Sequence, residues 1–210
     1  MTYIKEAFAV VTLEQAMNTV LSTDPSNPDK FNNETTFLID IIAKQNIINS
    51  KSMVLDFGCG MGRVSKKIID MFDCRVIGVD ISNSMMQLAH TYIMKPYNFK
   101  TINSYNRPNS IDVCISTFVL QHVEDPKKEI DLICSNLKQD GYLVIVNENN
   151  RLVPCEINAN HHVIWKDDGF NVFAEIETKL NKVYSIQYMN SHVDVVFYKK
   201  TNFKDIIDNI

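Results

Sequence analysis

From residue 53 to residue 146, short apolar runs alternate with amphipathic stretches. Residues 53–57, 75–80, 99–103, 111–117 and 142–146 read as strands, and 63–72, 83–93 and 126–137 carry apolar residues at helical spacing. Strands that are near-continuously apolar, each followed by a helix, predict crossover units and a parallel sheet covered on both faces. Upstream, Thr12-Leu-Glu-Gln15 has the capping-box spacing, and Leu13, Ala16, Met17 and Val20 continue a helix to the turn signals Asp24-Pro25 and Asn27-Pro28. A second helix is expected to bury Phe31, Phe37, Leu38, Ile41 and Ile42. Downstream, 147–166 reads as a loop, and Phe170, Phe173, Ile176 and Leu180 as a helix. Residues 182–189 and 193–198 then read as a hairpin about Asn190-Ser191-His192. The expected architecture is α/β: one compact domain with a doubly wound sheet of seven strands, mostly parallel, closed by an antiparallel C-terminal hairpin.

At 210 residues, with 45% hydrophobic and 22% charged positions, the chain can bury a core without disulfides or metal. It has no apolar run near the ~18 residues of a membrane helix, and the opening MTYIKEAFAV has no long apolar leader core, so a cytoplasmic protein is expected. The cysteines, Cys59, Cys74, Cys114, Cys134 and Cys155, form no CxxC pair, and His161-His162 stands apart from them. Free thiols rather than structural zinc follow. A net charge of −4 lacks the Lys and Arg excess that neutralises phosphates, which argues against a nucleic-acid partner.

The chemistry concentrates in VLDFGCGMGR, residues 54–63. Gly58, Gly60 and Gly62 follow a strand and precede a helix, where bare backbone and unpaired N–H groups can approach a ligand. The spacing is GxGxG, with Arg63 where a dinucleotide fold would place its third glycine. A buried Asp56 two residues before the turn would repel a pyrophosphate, whereas it suits a ligand carrying an ammonium and a sulfonium.

In these residues the chain resembles the class I S-adenosylmethionine-dependent methyltransferases, whose first motif is a hydrophobic pair, an acid, any residue, then GxGxG. The resemblance continues through Asp80 in VIGVDIS, through IDVCISTFVLQHVEDP and through LKQDGYLVIV. It runs residue by residue over 53–146 and by element order elsewhere. It implies S-adenosylmethionine as cofactor, with Asp56, Gly58, Cys59 and Gly60 at the methionine end and Asp80 on both ribose hydroxyls. Ile81 would lie over the adenine. The acid expected after the third strand is absent, and Asn103 or Ser104 would take its contact. Thr117 would meet the methionine amino group through its carbonyl. Residues 1–52 would form a helical cap on the substrate side and 53–210 the cofactor-binding core.

Methyl transfer from a sulfonium needs alignment and desolvation, and a base where the acceptor must lose a proton. His122, expected early in the helix after the fourth strand, is the candidate. Metal-dependent members of the family carry two glutamates three residues apart and then a histidine here; this chain has Phe118 and Gln121 at those places, so no metal is expected. Pro154-Cys155 lies after the fifth strand, not after the fourth as in the cytosine-methylating enzymes. The expected activity is metal-independent methylation of oxygen or nitrogen on a small molecule. Its acceptor would be bound by Phe31 and its neighbours, 121–124 and 147–166, including Glu148, His161, His162 and Trp165. A protein or RNA acceptor, and a module that binds the cofactor without catalysis, are the alternatives.

Overall fold

A computed structural model describes residues 3–21, 29–189 and 193–201. Its strands are β1 (Met53–Phe57), β2 (Arg75–Val79), β3 (Phe99–Ile102), β4 (Ile111–Thr117), β5 (Leu137–Val146), β6 (Val153–Ile157), β7 (Val163–Lys166), β8 (Asn181–Gln187) and β9 (Asp194–Lys199). Seven of them form one sheet in the order β3-β2-β1-β4-β5-β9-β8. The first five are parallel; β9 pairs antiparallel with β5, and β8 with β9. The doubly wound sheet expected from the apolar pattern is present. The order reverses between β1 and β4, so the carboxyl ends of those strands open a crevice there.

The helices are α1 (Leu13–Leu21), α2 (Lys30–Lys44), α3 (Arg63–Phe72), α4 (Asn83–Ile93), α5 (Pro126–Asn136) and α6 (Val172–Glu177), after a 3₁₀ turn at Lys5–Phe8. Strand alternation sends successive residues to opposite faces. Val54, Val113, Ile115 and Val144 pack with α2, α3 and α4 on one side; Leu55, Phe57, Cys114, Leu143 and Ile145 pack with α5 and α6 on the other. Leu38, Ile41 and Ile42 of α2 are buried as expected, and Phe37 is half-buried. The capping box closes both ways: Gln15 N donates to Thr12 Oγ1 at 3.2 Å, and Gln15 Oε1 accepts from Thr12 N at 3.2 Å.

Two expectations change. Residues 147–166 are not simply a loop, because β6 and β7 form an antiparallel hairpin there. The fifth strand starts at Leu137, directly after α5, rather than at residue 142. Ile111 pairs with Leu137 but Val113 with Tyr142, so the extra residues loop out of the register. Asp140 takes a φ of 65° in that excursion, and a Cβ on Gly141 would stand 2.9 Å from the Lys138 carbonyl oxygen. Asp24-Pro25, Asn27-Pro28 and the hairpin tip 190–192 lie outside the described residues.

Candidate active site

An open cavity of 1370 Å³ lies over the carboxyl ends of β1, β2 and β4. Ligand pockets usually measure about 300–1,000 Å³, so there is room for two ligands side by side. Asp56, Gly58, Cys59, Gly60, Asp80, Ile81, Asn103, Thr117 and His122 all line it. Ser104 does not: it lines a separate cavity of 130 Å³ beside Tyr105, which leaves Asn103 as the member of that pair facing the main cavity.

The glycine turn is shaped by its neighbours. Gly58 N and Cys59 N both donate to the Val79 carbonyl, at 2.7 and 3.0 Å, which ties the turn to β2. Gly58, Gly60 and Gly62 have φ of 76°, 51° and 83°, the left-handed region that favours glycine. Asp80 follows β2 and closes the turn: one carboxylate oxygen accepts from Gly60 N at 2.7 Å, the other from Ser82 N at 2.8 Å. Burial pushes its pKa up, against the pull of those backbone N–H groups. Each carboxylate oxygen has two lone pairs, so both retain capacity toward the cavity.

Asp56 shares a strand face with Val54 and so points beneath the start of α3. Its Oδ2 accepts from Ser65 Oγ at 2.6 Å, and it is 2% exposed. Burial raises its pKa from 3.8 to about 6, against the hydrogen bonds from Ser65 and the charge of Arg63. Gly62 offers α3 no side-chain cap, so Asp56 supplies from the strand an acceptor that the helix start lacks.

Sequence reasoning passed over Arg63. It is 3% exposed and lines the cavity; Nη1 donates to Thr35 Oγ1 at 2.9 Å, the guanidinium lies 5.8 Å from the Phe31 ring, and the buried Nε has no partner. The signal was in view, since a cation directly after a glycine turn sits at the helix start. Phe31, expected at the acceptor side, is buried beneath Arg63 instead, and Lys30 and Glu34 of the same helix line the cavity. Glu34 Oε2 accepts from the Tyr188 hydroxyl at 3.0 Å.

His122 reaches the cavity, but not from a helix. Residues 120–122 form a turn, and α5 begins only at Pro126, capped by Asp125. Gln121 Oε1 accepts from Glu148 N at 2.7 Å, so its amide NH₂ is the group facing His122 Nε2 at 3.2 Å. Nε2 must therefore be an acceptor, and Nδ1 carries the proton donated to the Leu152 carbonyl at 2.8 Å. Burial holds the pKa of this neutral ring below its ordinary value. Phe8 and Trp165 meet it: centroids lie 5.8 Å apart for Phe8 and His122, 5.3 Å for His122 and Trp165, and 5.7 Å for Phe8 and Trp165. Tyr3 also lines the cavity, and its hydroxyl is pushed up to about 12 by burial and then by Glu124. No sequence signal pointed to Tyr3 or Phe8. His161 and His162 sit exposed at the hairpin tip, away from the cavity lining.

The geometry fits S-adenosylmethionine on three counts: a turn at left-handed φ whose Gly58, Cys59 and Gly60 line the cavity, a carboxylate with lone pairs to spare at the end of the next strand, and an orphaned guanidinium N–H on the cavity wall. A family model described as a methyltransferase domain matches residues 31–209. The N-demethylindolmycin N-methyltransferase of Streptomyces griseus is 32% identical over 91 residues, which are 41% of this chain and 38% of that protein. The chain spans about half or less of the length of the curated relatives it matches. The PH0226 protein of Pyrococcus horikoshii shares the fold at a TM-score of 0.67 and 16% identity, over 89% of this chain and 97% of that one. The N-methyltransferase NodS of Bradyrhizobium japonicum, in complex with S-adenosyl-L-homocysteine, does so at 0.63 and 15%, over 90% and 98%. With the family match covering most of its length and the strand order agreeing, the chain belongs to the class I S-adenosylmethionine-dependent methyltransferases.

Proposed function

We propose that this protein transfers a methyl group from S-adenosylmethionine to an oxygen or nitrogen of a small-molecule acceptor, without a metal ion, leaving S-adenosyl-L-homocysteine. The observation that carries the reading is Asp80, half-buried just after β2 with its oxygens held by the Gly60 and Ser82 N–H groups while it lines the cavity. Such a carboxylate is oriented before any ligand arrives and can accept two vicinal hydroxyls. In this reading Asp56, Gly58, Cys59 and Gly60 surround the methionine end, with the Thr117 carbonyl on its amino group and the Arg63 guanidinium near its carboxylate. Ile81 and Asn103 flank the adenine. Residues 1–52 act as a cap on the acceptor side, supported by Tyr3, Phe8, Thr19, Val20, Lys30 and Glu34 on the cavity wall.

When bound, the cofactor supplies an electrophilic methyl carbon whose bond to sulfur breaks as the acceptor's lone pair forms the new one. The chain's contribution is alignment, exclusion of water and proton management. His122 is the proposed proton acceptor: its depressed pKa keeps the ring neutral near pH 7. To act, Nε2 must release the Gln121 amide, a bond between neutral groups worth about 0.5–1.5 kcal/mol net, which acceptor binding can offset. Metal independence rests on Phe118 and Gln121 standing where metal-binding members carry carboxylates. The names of NodS and the Streptomyces griseus relative, both N-methyltransferases, support a nitrogen acceptor.

Calorimetric titration with S-adenosyl-L-homocysteine tests the assignment. Asp80→Asn should weaken binding by about 1.5–3 kcal/mol, the scale of hydrogen bonds to a charged group. The asparagine variant is preferable to Asp80→Ala, because its one amide oxygen still accepts from Gly60 N or Ser82 N, whereas alanine would leave both unpaired. Equal affinity of wild type and Asp80→Asn would remove the ribose role.

A further inference from the structure

We propose that the acceptor is a basic amine carried on an apolar, ring-sized body, bound as its cation where Tyr3, Phe8 and His122 face the cavity, with Glu148 beside the charge; this rests on the methyl-transfer reading above. Three observations lead there. The first is the sign of the walls, which carry seven carboxylates against three Lys and Arg side chains. Of the lining cations, Lys30 and Arg63 lie at the α2 side and Lys128 at the first turn of α5; at the ring end the buried Arg151 acts on both Tyr3 and His122, but its charge is paired with Asp168, and Glu124 acts on the Tyr3 hydroxyl more strongly than Arg151 does. A phenolate or carboxylate acceptor would enter against like charge in a cleft of low effective dielectric, whereas an ammonium would be drawn in.

The second is how the rings are built. Residues 8, 122 and 165 come from three distant segments, yet the rings of Phe8, His122 and Trp165 are all in mutual contact. Trp165 stands behind Phe8 and His122 rather than on the cavity lining, so it braces the wall. The neutral tautomer of His122 keeps that wall uncharged. Aromatic faces beside a carboxylate are the chemistry that holds an organic cation with an apolar body.

The third is the link between proton acceptor and charge. The Gln121 side chain accepts from Glu148 N and donates to His122 Nε2, so one amide holds the Glu148 backbone and the His122 ring together. An ammonium has no lone pair to attack with. Its proton passes to His122 Nε2, the freed pair forms the N–C bond, and the C–S pair remains on sulfur, which closes the balance with no further reactant.

The test uses the full chain saturated with S-adenosyl-L-homocysteine and three calorimetric probes of one shape: 2-phenylethylamine, 2-phenylethanol and 3-phenylpropionate. The amine should bind about tenfold or more tighter than the alcohol, the scale of a hydrogen bond to a charge, and the carboxylate weakest of all. Glu148→Gln should bring the amine to within about threefold of the alcohol. Phe8→Ala should weaken amine and alcohol alike. Both variants should bind S-adenosyl-L-homocysteine as the wild type does, which also shows that they fold. Carboxylate binding equal to or tighter than amine binding, no amine binding, or an amine affinity indifferent to Glu148→Gln would each overturn the proposal. Failure of the wild type to bind S-adenosyl-L-homocysteine would instead sink the methyl-transfer reading, and this inference with it.

Discussion

Gly58→Ala probes the contact on which the cavity floor is built. A Cβ at residue 58 would lie 2.2 Å from Val119 Cγ2, 2.5 Å from Cγ1 and 2.8 Å from Cβ. All three side-chain atoms are inside the distance that real Cβ atoms tolerate, so no χ1 rotation clears the clash and the Val119 backbone must move. That backbone is held: Phe118, the residue before it, has a φ of 56° and an N–H bonded to the Val146 carbonyl at 2.6 Å. Two costs add. Placing alanine at the left-handed φ of 76° costs about 1–2 kcal/mol, and overpacking about 1–3 kcal/mol more. The expected loss is therefore about 2–5 kcal/mol, read as a fall in urea midpoint at constant m-value. Val119→Ala removes the two closest atoms and leaves the 2.8 Å contact. In a double-mutant cycle it should recover about 1 kcal/mol of the overpacking cost and none of the backbone cost. A Gly58→Ala loss below about 0.5 kcal/mol, or no coupling to Val119, would refute the packing of the post-β4 turn on the glycine turn.

Two other perturbations read separate parts of the site. Asp56 rises from 3.8 to about 6 on folding, so its contribution to stability is complete below pH 3.8 and is lost as pH rises through about 6. Asp56→Asn lacks that titration and should gain about 2.4 kcal/mol relative to wild type between pH 4 and pH 7 in denaturation curves; a pH-independent difference would exclude the burial cost. Arg151 is 1% exposed, donates to Leu120 O at 2.7 Å and pairs bidentately with Asp168 at 3.1 and 2.9 Å. Arg151→Met should cost about 3 kcal/mol, the low end for a broken buried pair because Asp168 is a third exposed. Amide exchange should quicken in β6, β7 and the 120–125 turn while β1 and β4 stay protected; uniform acceleration would contradict a local clamp.

The glycine-turn side of the cavity was legible because its residues are nearly consecutive and their geometry is backbone geometry. A buried parallel strand reads as an apolar run, a turn at positive φ reads as glycine, and the acid after the next strand falls in register because β1 pairs with β2 from Met53↔Arg75 to Phe57↔Val79. The β6–β7 hairpin was not legible. Pro154 interrupts β6, both strands are short, and what holds them is remote: Ile4 N on the Pro154 carbonyl at 2.9 Å, Arg151 on Asp168, and Phe8 against Trp165. Neither strand would be expected to persist as an isolated two-stranded hairpin. The His122 turn escaped for a related reason. Asp125-Pro126 correctly marks the start of α5, but the four residues before it are set by bonds to 147, 148 and 152, which no local pattern encodes.

That division has a consequence for how the two halves can change. The glycine turn is tied to β2 by main-chain bonds, and Asp56 to the start of α3, so substitutions there are felt by the parallel sheet itself. At the His122 end of the cavity the contacts are side-chain bonds between the 120–122 turn and the segments flanking the hairpin: Gln121 N to Asn147 Oδ1 at 3.0 Å, Gln121 Oε1 to Glu148 N, and Arg151 to Leu120 and Asp168. These elements lie outside the β1–β4 core, and Tyr3 and Phe8 belong to no regular strand or α-helix at all. Residues that line this end of the cavity can thus be exchanged at little cost to the fold, provided that the Gln121 and Arg151 links keep turn and hairpin together. A sequence can then name its cofactor through a few consecutive residues while the shape of the His122 end depends on contacts 26 to 31 residues apart, as in the bonds from Gln121 to Asn147 and from Arg151 to Leu120.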